Sequence, residues 1–128
     1  MPNIAYFEIP ADNVDRAKQF YQSLLGWKIE PTTAAVNPEM VAATQYQDII
    51  MGEPQEGTIN MGGMYKRQMS EPITSHVMVE NLEEVLAKVE KLGGKIITPT
   101  MDMQSVGLDA IIQDTEGNTI GLWQPAKK

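Results

Sequence analysis

The chain has no cysteine and a single histidine, His76. The first absence excludes disulfides and thiol catalysis and fits a reducing compartment, so a cytoplasmic protein is expected. The second leaves little scope for a Ser-His-acid triad, and Ser23, Ser70, Ser75 and Ser105 show no nucleophile elbow. No apolar run approaches the roughly 20 residues of a membrane span, and Met1 to Glu8 lacks the basic start and long apolar stretch of a secretory signal. A soluble chain, mature as written, is the expectation. Runs of one charge are also missing. Ten Lys/Arg against 17 Asp/Glu leave a net charge of −7, with the acidic residues scattered from Glu8 to Glu116. Nucleic acid and anionic membranes are therefore not expected partners. Gly62-Gly63 lacks the lysine and the strand-loop-helix setting of a phosphate loop.

What the chain does contain is a repeat. Leu25-Gly26-Trp27-Lys28-Ile29 follows one amphipathic stretch, and Leu92-Gly93-Gly94-Lys95-Ile96 follows another, 67 residues later. A helix ending at glycine and feeding a Lys-Ile strand, twice at half-length, implies two copies of one small module. With 128 residues, neither copy could bury enough apolar surface alone, so a single domain of paired modules, about 1–68 and 72–126, is expected.

In the first copy, Ile4 to Ile9 alternates as a strand does. Asp12-Asn13 then offers a cap for a helix with Val14, Ala17, Phe20, Tyr21, Leu24 and Leu25 on one face. Strands are predicted at Trp27 to Thr33, Met40 to Tyr46 and Thr58 to Tyr65, separated by Pro38 and by the loop Gly52 to Gly57. The second copy opens with Thr74 to Val79, caps at Asn81 and runs Leu82, Val85, Leu86, Val89 and Leu92 down one face before Gly93-Gly94 stops it. Strands follow at Lys95 to Thr98, Leu108 to Gln113 and Thr119 to Trp123, the last two joined by the turn Asp114 to Asn118. Each copy reads β-α-β-β-β. The helices align best at an offset of 68, and Ala34 to Gly57 has no close counterpart in Thr100 to Gly107.

Tyr6 to Asp12, Phe20-Tyr21, Leu25-Gly26-Trp27 and Asp114 to Trp123 resemble the vicinal oxygen chelate superfamily. That group includes glyoxalase I, bleomycin- and fosfomycin-resistance proteins and extradiol dioxygenases. The resemblance spans essentially the whole chain. It implies an α+β fold in which two βαβββ modules form a curled mixed sheet around a cavity, with helices outside and often a homodimeric partner completing it.

Strand alternation sorts the cavity positions. Ala5, Phe7 and Ile9 form the apolar set beneath the first helix, which leaves Ile4, Tyr6 and Glu8 facing the cavity. Val77 and Val79 leave Thr74, His76 and Met78 inside. Ile120 and Leu122 leave Thr119, Gly121 and Trp123, and matching Met61-Gly62 to Ile120-Gly121 assigns Asn60, Gly62 and Met64 to the cavity. Metalloenzymes of this family hold a divalent metal with His, Glu or Gln at four slots, which here are Tyr6, Gly62, Thr74 and Gly121. None is a normal ligand for such a metal, so no metal and no other cofactor is expected. A shifted site built on Glu8 and His76 is the alternative.

Two functions follow from the resemblance. The first is metal-independent binding of a small, neutral or cationic organic molecule by Tyr6, Glu8, Asn60, Met64, Thr74, His76, Met78 and Trp123. The alternative is a lyase or isomerase related to lactoylglutathione lyase, with or without a divalent metal, in which Glu8 abstracts a proton and Tyr6 or His76 stabilises the oxyanion. A third reading is a scaffold whose role is dimerisation. His76 on an inward face is also what a hydrogen-bonded core histidine would look like, and the methionines read equally as core filler.

Overall fold

A computed structural model describes residues 1–34, 36–54 and 57–127. Gln55 and Glu56 of the predicted loop lie outside the described residues. In chain order the elements are β1 (Asn3–Ala11), α1 (Val14–Leu25), β2 (Lys28–Pro31), α2 (Pro38–Thr44), β3 (Gln47–Ile50), β4 (Met61–Lys66), β5 (Thr74–Met78), α3 (Leu82–Val89), β6 (Lys95–Asp102), a 3-10 turn (Gln104–Val106), β7 (Gly107–Gln113) and β8 (Thr119–Pro125). The fold is α+β, and the βαβββ order recurs with α2 as an addition to the first copy.

The chain divides into two compact units. One holds Tyr6–Thr33 and Pro38–Ile73. The other holds Thr74–Lys128 with Met1–Ala5 and Ala34–Asn37. In the first unit the strand order is β2-β3-β4-β1, with β1 parallel to β4 and the other pairs antiparallel. In the second the order is β5-β8-β7-β6, with β5 parallel to β8 and the rest antiparallel. Each opening strand thus lies beside its module's closing strand.

Both principal helices begin the same way. Asn13 and Asn81 sit in extended backbone and accept through their side chains from the N–H groups of Arg16 (2.9 Å) and Glu84 (3.1 Å). Each satisfies a donor the helix itself cannot use, and Glu83 and Glu84 add favourable charge at the start of α3. Replacing Asn81 by Ala is expected to lower stability by about 1 kcal/mol, readable as a reduced urea midpoint with an unchanged slope. Gly26 ends α1 at φ 72°, its N–H donating to the Gln22 carbonyl, in the left-handed conformation glycine adopts without strain. Helix α3 stops earlier than the apolar spacing predicts. Leu92 lies in the following turn with 75% of its surface exposed, and Gly93 takes the positive φ.

The predicted alternation is found in β1, β5 and β8. Ile9, Ala11, Val14, Ile29, Ile49 and Met64 form one core, with Phe7, Ala17, Tyr21 and Trp27 against it. Val79, Leu82, Leu86, Val89, Ala110 and Leu122 form the other, with Val77 and Ile120 at its edge.

Two predictions fail in the middle of the first module. Met40 to Tyr46 is not a strand: Pro38 starts α2, where its missing N–H costs nothing, and Ala42 and Ala43 favour the helix. Gln45 at φ 50° ends it, and β3 begins only at Gln47. The phase of β4 is also the reverse of that predicted. Gly62 pairs with Phe7, and a Cβ there would meet the Phe7 ring at 2.9 Å, on the helix side. Met64 is fully buried in the helix-side core, so it does not belong to the opposite face.

Candidate functional site

The first module's face opposite α1 carries a group of polar side chains. Because Phe7 and Ile9 pack beneath the helix, Tyr6 and Glu8 project the other way along β1. Glu8 pairs across the sheet with Gly63, Gly63 with Asp48, and Asp48 with Glu30, so one row crosses β1, β4, β3 and β2. The missing side chain in that row is functional in the packing sense. The Tyr46 hydroxyl lies where a Gly63 Cβ would stand, only 1.9 Å from that position.

From there the Tyr46 hydroxyl donates to Glu8 Oε2 over 2.6 Å, a short bond of the kind a charged acceptor makes. The turn at Gln45 that ends α2 delivers Tyr46 to this place. Its ring lies parallel to that of Tyr65, at 9° with centroids 6.5 Å apart. Burial, and then the charge and hydrogen bond of Glu8, push the Tyr46 phenol well above its ordinary range, with Tyr6 and Asp48 adding to the shift. Tyr46 is therefore a neutral hydrogen-bond donor throughout the physiological range. Tyr65 is raised too, by burial first and then by Glu71 and Glu8, with Arg67 opposing. Glu71 is held low: burial works against ionisation, but the N–H groups of Gln68 and Met69 and the Tyr65 hydroxyl outweigh it.

The second module has a different arrangement at the corresponding position. His76 and Glu8 each stand five residues before the capping asparagine, Asn81 or Asn13. His76 pairs with Gly121 as Glu8 pairs with Gly63. The counterpart of Gly121 is therefore Gly63, not Gly62. The His76 ring is fully buried and lies against Gly121, whose Cβ would stand 2.2 Å from Nδ1. On β7, Asp109 places Oδ1 3.4 Å from His76 Nδ1 and accepts from the Ala110 N–H. Thr74 is buried on the same strand. Trp123 donates its ring N–H to the Val106 carbonyl at 2.9 Å, which fixes the indole edge.

Of the residues expected in the site, the first module brings together Tyr6 and Glu8, and the second brings together Thr74 and His76. Met78 is 42% exposed at the end of β5, and Asn60 is exposed just before β4 begins. Trp27 packs against Phe7 and Tyr21, as a residue following a helix cap should. The sequence reading missed Tyr46, Tyr65 and Asp109. A pair of glycines inside β4 was the available signal, since strand glycine marks a close approach by another group.

The four slots at which metalloenzymes of the resembled superfamily hold a divalent metal are occupied here as follows. At Gly63 and Gly121 the space for a ligating side chain is filled by the Tyr46 hydroxyl and the His76 ring, and the other two slots hold Tyr6 and Thr74. Among the described residues, no three His, Cys, Asp or Glu side chains gather as a metal-binding group.

Known proteins share this architecture. The methylmalonyl-CoA epimerase of Streptomyces coelicolor superposes with a TM-score of 0.66 at 13% identity, covering 97% of each chain. That of Mycobacterium tuberculosis gives 0.63 at 14%, covering 97% of this chain and 88% of its own. These likenesses establish the shared fold. In sequence, a "Glyoxylase-like domain-containing protein" of Didymella fabae is 29% identical over 91% of this chain and 88% of its own length. The Mycobacterium bovis protein named "Putative glyoxylase CFP32" is 28% identical over 93% of this chain, which spans only 44% of that relative. The profile of one family matches residues 3–122, nearly the whole repeat, and the chain therefore belongs to the Glyoxalase/Bleomycin resistance protein/Dioxygenase superfamily.

Proposed function

We propose that this protein binds a small, neutral or cationic organic molecule without a divalent metal, using the face of the first module that carries Tyr6, Glu8, Tyr46 and Tyr65. The observation that carries this reading is the Tyr46 hydroxyl seated over Gly63 and donating to Glu8. It places an oriented carboxylate beside two parallel aromatic rings, which suits a polar group attached to a flat apolar body. Tyr6 adds a further ring on the same strand face. The net charge of −7 disfavours anions. Homodimerisation and a cytoplasmic setting belong to the same proposal.

A second reading has specific support in the relatives named as glyoxylases and the fold neighbours named as epimerases. In it, Glu8 acts as general base on a carbon acid next to a carbonyl, and Tyr6 donates to the developing oxyanion.

One experiment addresses both readings. A panel of cationic and neutral aromatic compounds is screened by thermal unfolding and tryptophan fluorescence, with Glu8→Gln alongside. A ligand present at about one hundred times its dissociation constant adds about 2.7 kcal/mol, which for this size is about ten degrees. Binding is expected in the native chain and weakened in Glu8→Gln. Absence of any shift across the panel removes the binding reading. Turnover of a bound carbonyl compound by the native chain, lost in Glu8→Gln, replaces it with the catalytic one.

A further inference from the structure

We propose that the molecule bound at this face carries a protonated amine, and that Tyr46 is the residue through which the site distinguishes it from a neutral molecule of the same shape. The proposal rests on the binding reading above and names its ligand class.

The argument starts from Gly63. It is the cross-strand neighbour of both Glu8 and Asp48, so two carboxylates flank a residue with no side chain. The Tyr46 hydroxyl enters that space and commits its proton to Glu8 Oε2. A carboxylate held by such a bond keeps one orientation, and an oriented charge distinguishes ligands better than a rotating one because less ordering is needed on binding. The faces of the parallel Tyr46 and Tyr65 rings are the electronegative faces of their π systems, and they attract a cation set beside them.

Two basic side chains of this unit have acidic partners of their own, Lys28 at the far end of the same row and Arg67 on the side of Tyr65. Lys28 lies 3.5 Å from Glu30. Arg67 binds Asp12 at 2.9 Å and donates to the carbonyls of Glu71 and Pro10. Burial and the neighbouring Glu8 charge keep the proton on Tyr46, so the phenol does not become a second anion near neutral pH. An ammonium group would add donors and positive charge where the face presents acceptors and negative charge. A neutral hydroxyl offers one donor and no charge, and an anion would be repelled.

The test is calorimetric titration of the full chain at pH 7 with benzylamine and with benzyl alcohol, two probes alike in shape and different in charge. A charge-assisted hydrogen bond should make the amine bind about tenfold more tightly. Glu8→Gln, which is nearly isosteric, should bring the ratio of the two affinities to about one, and Tyr46→Phe should lower it by about threefold or more. A merely structural role for Tyr46 would weaken both probes together and leave the ratio alone. Equal affinities in the native chain would overturn the amine assignment while leaving the binding reading in place. An unchanged ratio in Tyr46→Phe would overturn the role given to Tyr46. No heat with either probe would overturn the binding reading and this proposal with it.

Discussion

Gly121→Glu is expected to destabilise the protein by about 3 kcal/mol, roughly ten degrees in thermal midpoint, and to gain no affinity for Zn²⁺ or Ni²⁺. The substitution puts a carboxylate where metalloenzymes of this superfamily carry one, so a simple view predicts a restored metal site. The structure predicts otherwise. The new Cβ would stand 2.2 Å from Nδ1 of His76 and 2.4 Å from Cε1, well inside contact distance. His76 is fully buried, and Asp109 is already 3.4 Å from the same nitrogen. The ring is shut off from solvent, and a second carboxylate would be buried beside the first. Thermal unfolding with and without each metal measures both parts of the claim. His76→Ala in the same chain should recover a large share of the lost stability, because it removes the atoms that the introduced side chain would meet; additive losses would show that the clash lies elsewhere.

Gly107→Ala should cost about 3 kcal/mol or more, for a reason no side-chain movement can relieve. Gly107 opens β7 at φ 124°, a conformation that L side chains rarely adopt. Its Cβ would lie 2.1 Å from the Gln124 carbonyl oxygen and 2.7 Å from the Ala126 nitrogen, both main-chain atoms of the paired segment. Making room means parting Gly107 from Pro125 in the ladder and loosening the bond from the Ala126 N–H to the Val106 carbonyl. That carbonyl also accepts from the Trp123 ring. The expected signature is therefore a lowered thermal midpoint together with a red-shifted tryptophan emission, as the indole loses its anchor. Gly117 offers the contrast. It also has positive φ, at 86°, but nothing lies within 4 Å of its Cβ, so Gly117→Ala should cost only the backbone strain of about 1 kcal/mol.

The parts of the fold that were legible in the sequence are those where side chains reveal their own surroundings. Asn13 and Asn81 mark helix starts because a short polar side chain is needed there. Phe7, Ile9, Val77, Val79 and Ile120 reveal their face because each is apolar beside a polar neighbour, and Leu122 follows Ile120 at strand spacing. Gly62-Gly63 reveals nothing of the kind. Two glycines in succession have no side chains to compare, and aligning Met61-Gly62 with Ile120-Gly121 moved the strand by one residue, which exchanged its faces.

Tyr46 escaped for another reason. It comes from the stretch without a counterpart in the second copy, where Met40 to Tyr46 reads as a strand although Pro38 and the alanines favour a helix. A reading by repetition is blind where the copies differ, and that is where the phenol facing Glu8 originates. Asp109 was hidden because its partner, His76, lies 33 positions earlier and no local pattern connects them.

The position five residues before each capping asparagine holds a carboxylate in one copy and an imidazole in the other. An assembly of identical half-length chains could not show this difference, because any substitution would appear in both halves at once. Joining the copies in one polypeptide removes that constraint. A partly exposed carboxylate can then stand at Glu8, while its counterpart at His76 is an imidazole in the interior. Symmetry inherited from a repeat is in this sense a starting condition, and each later change on one side alone gives the chain a distinction between its halves that a symmetric ancestor could not encode.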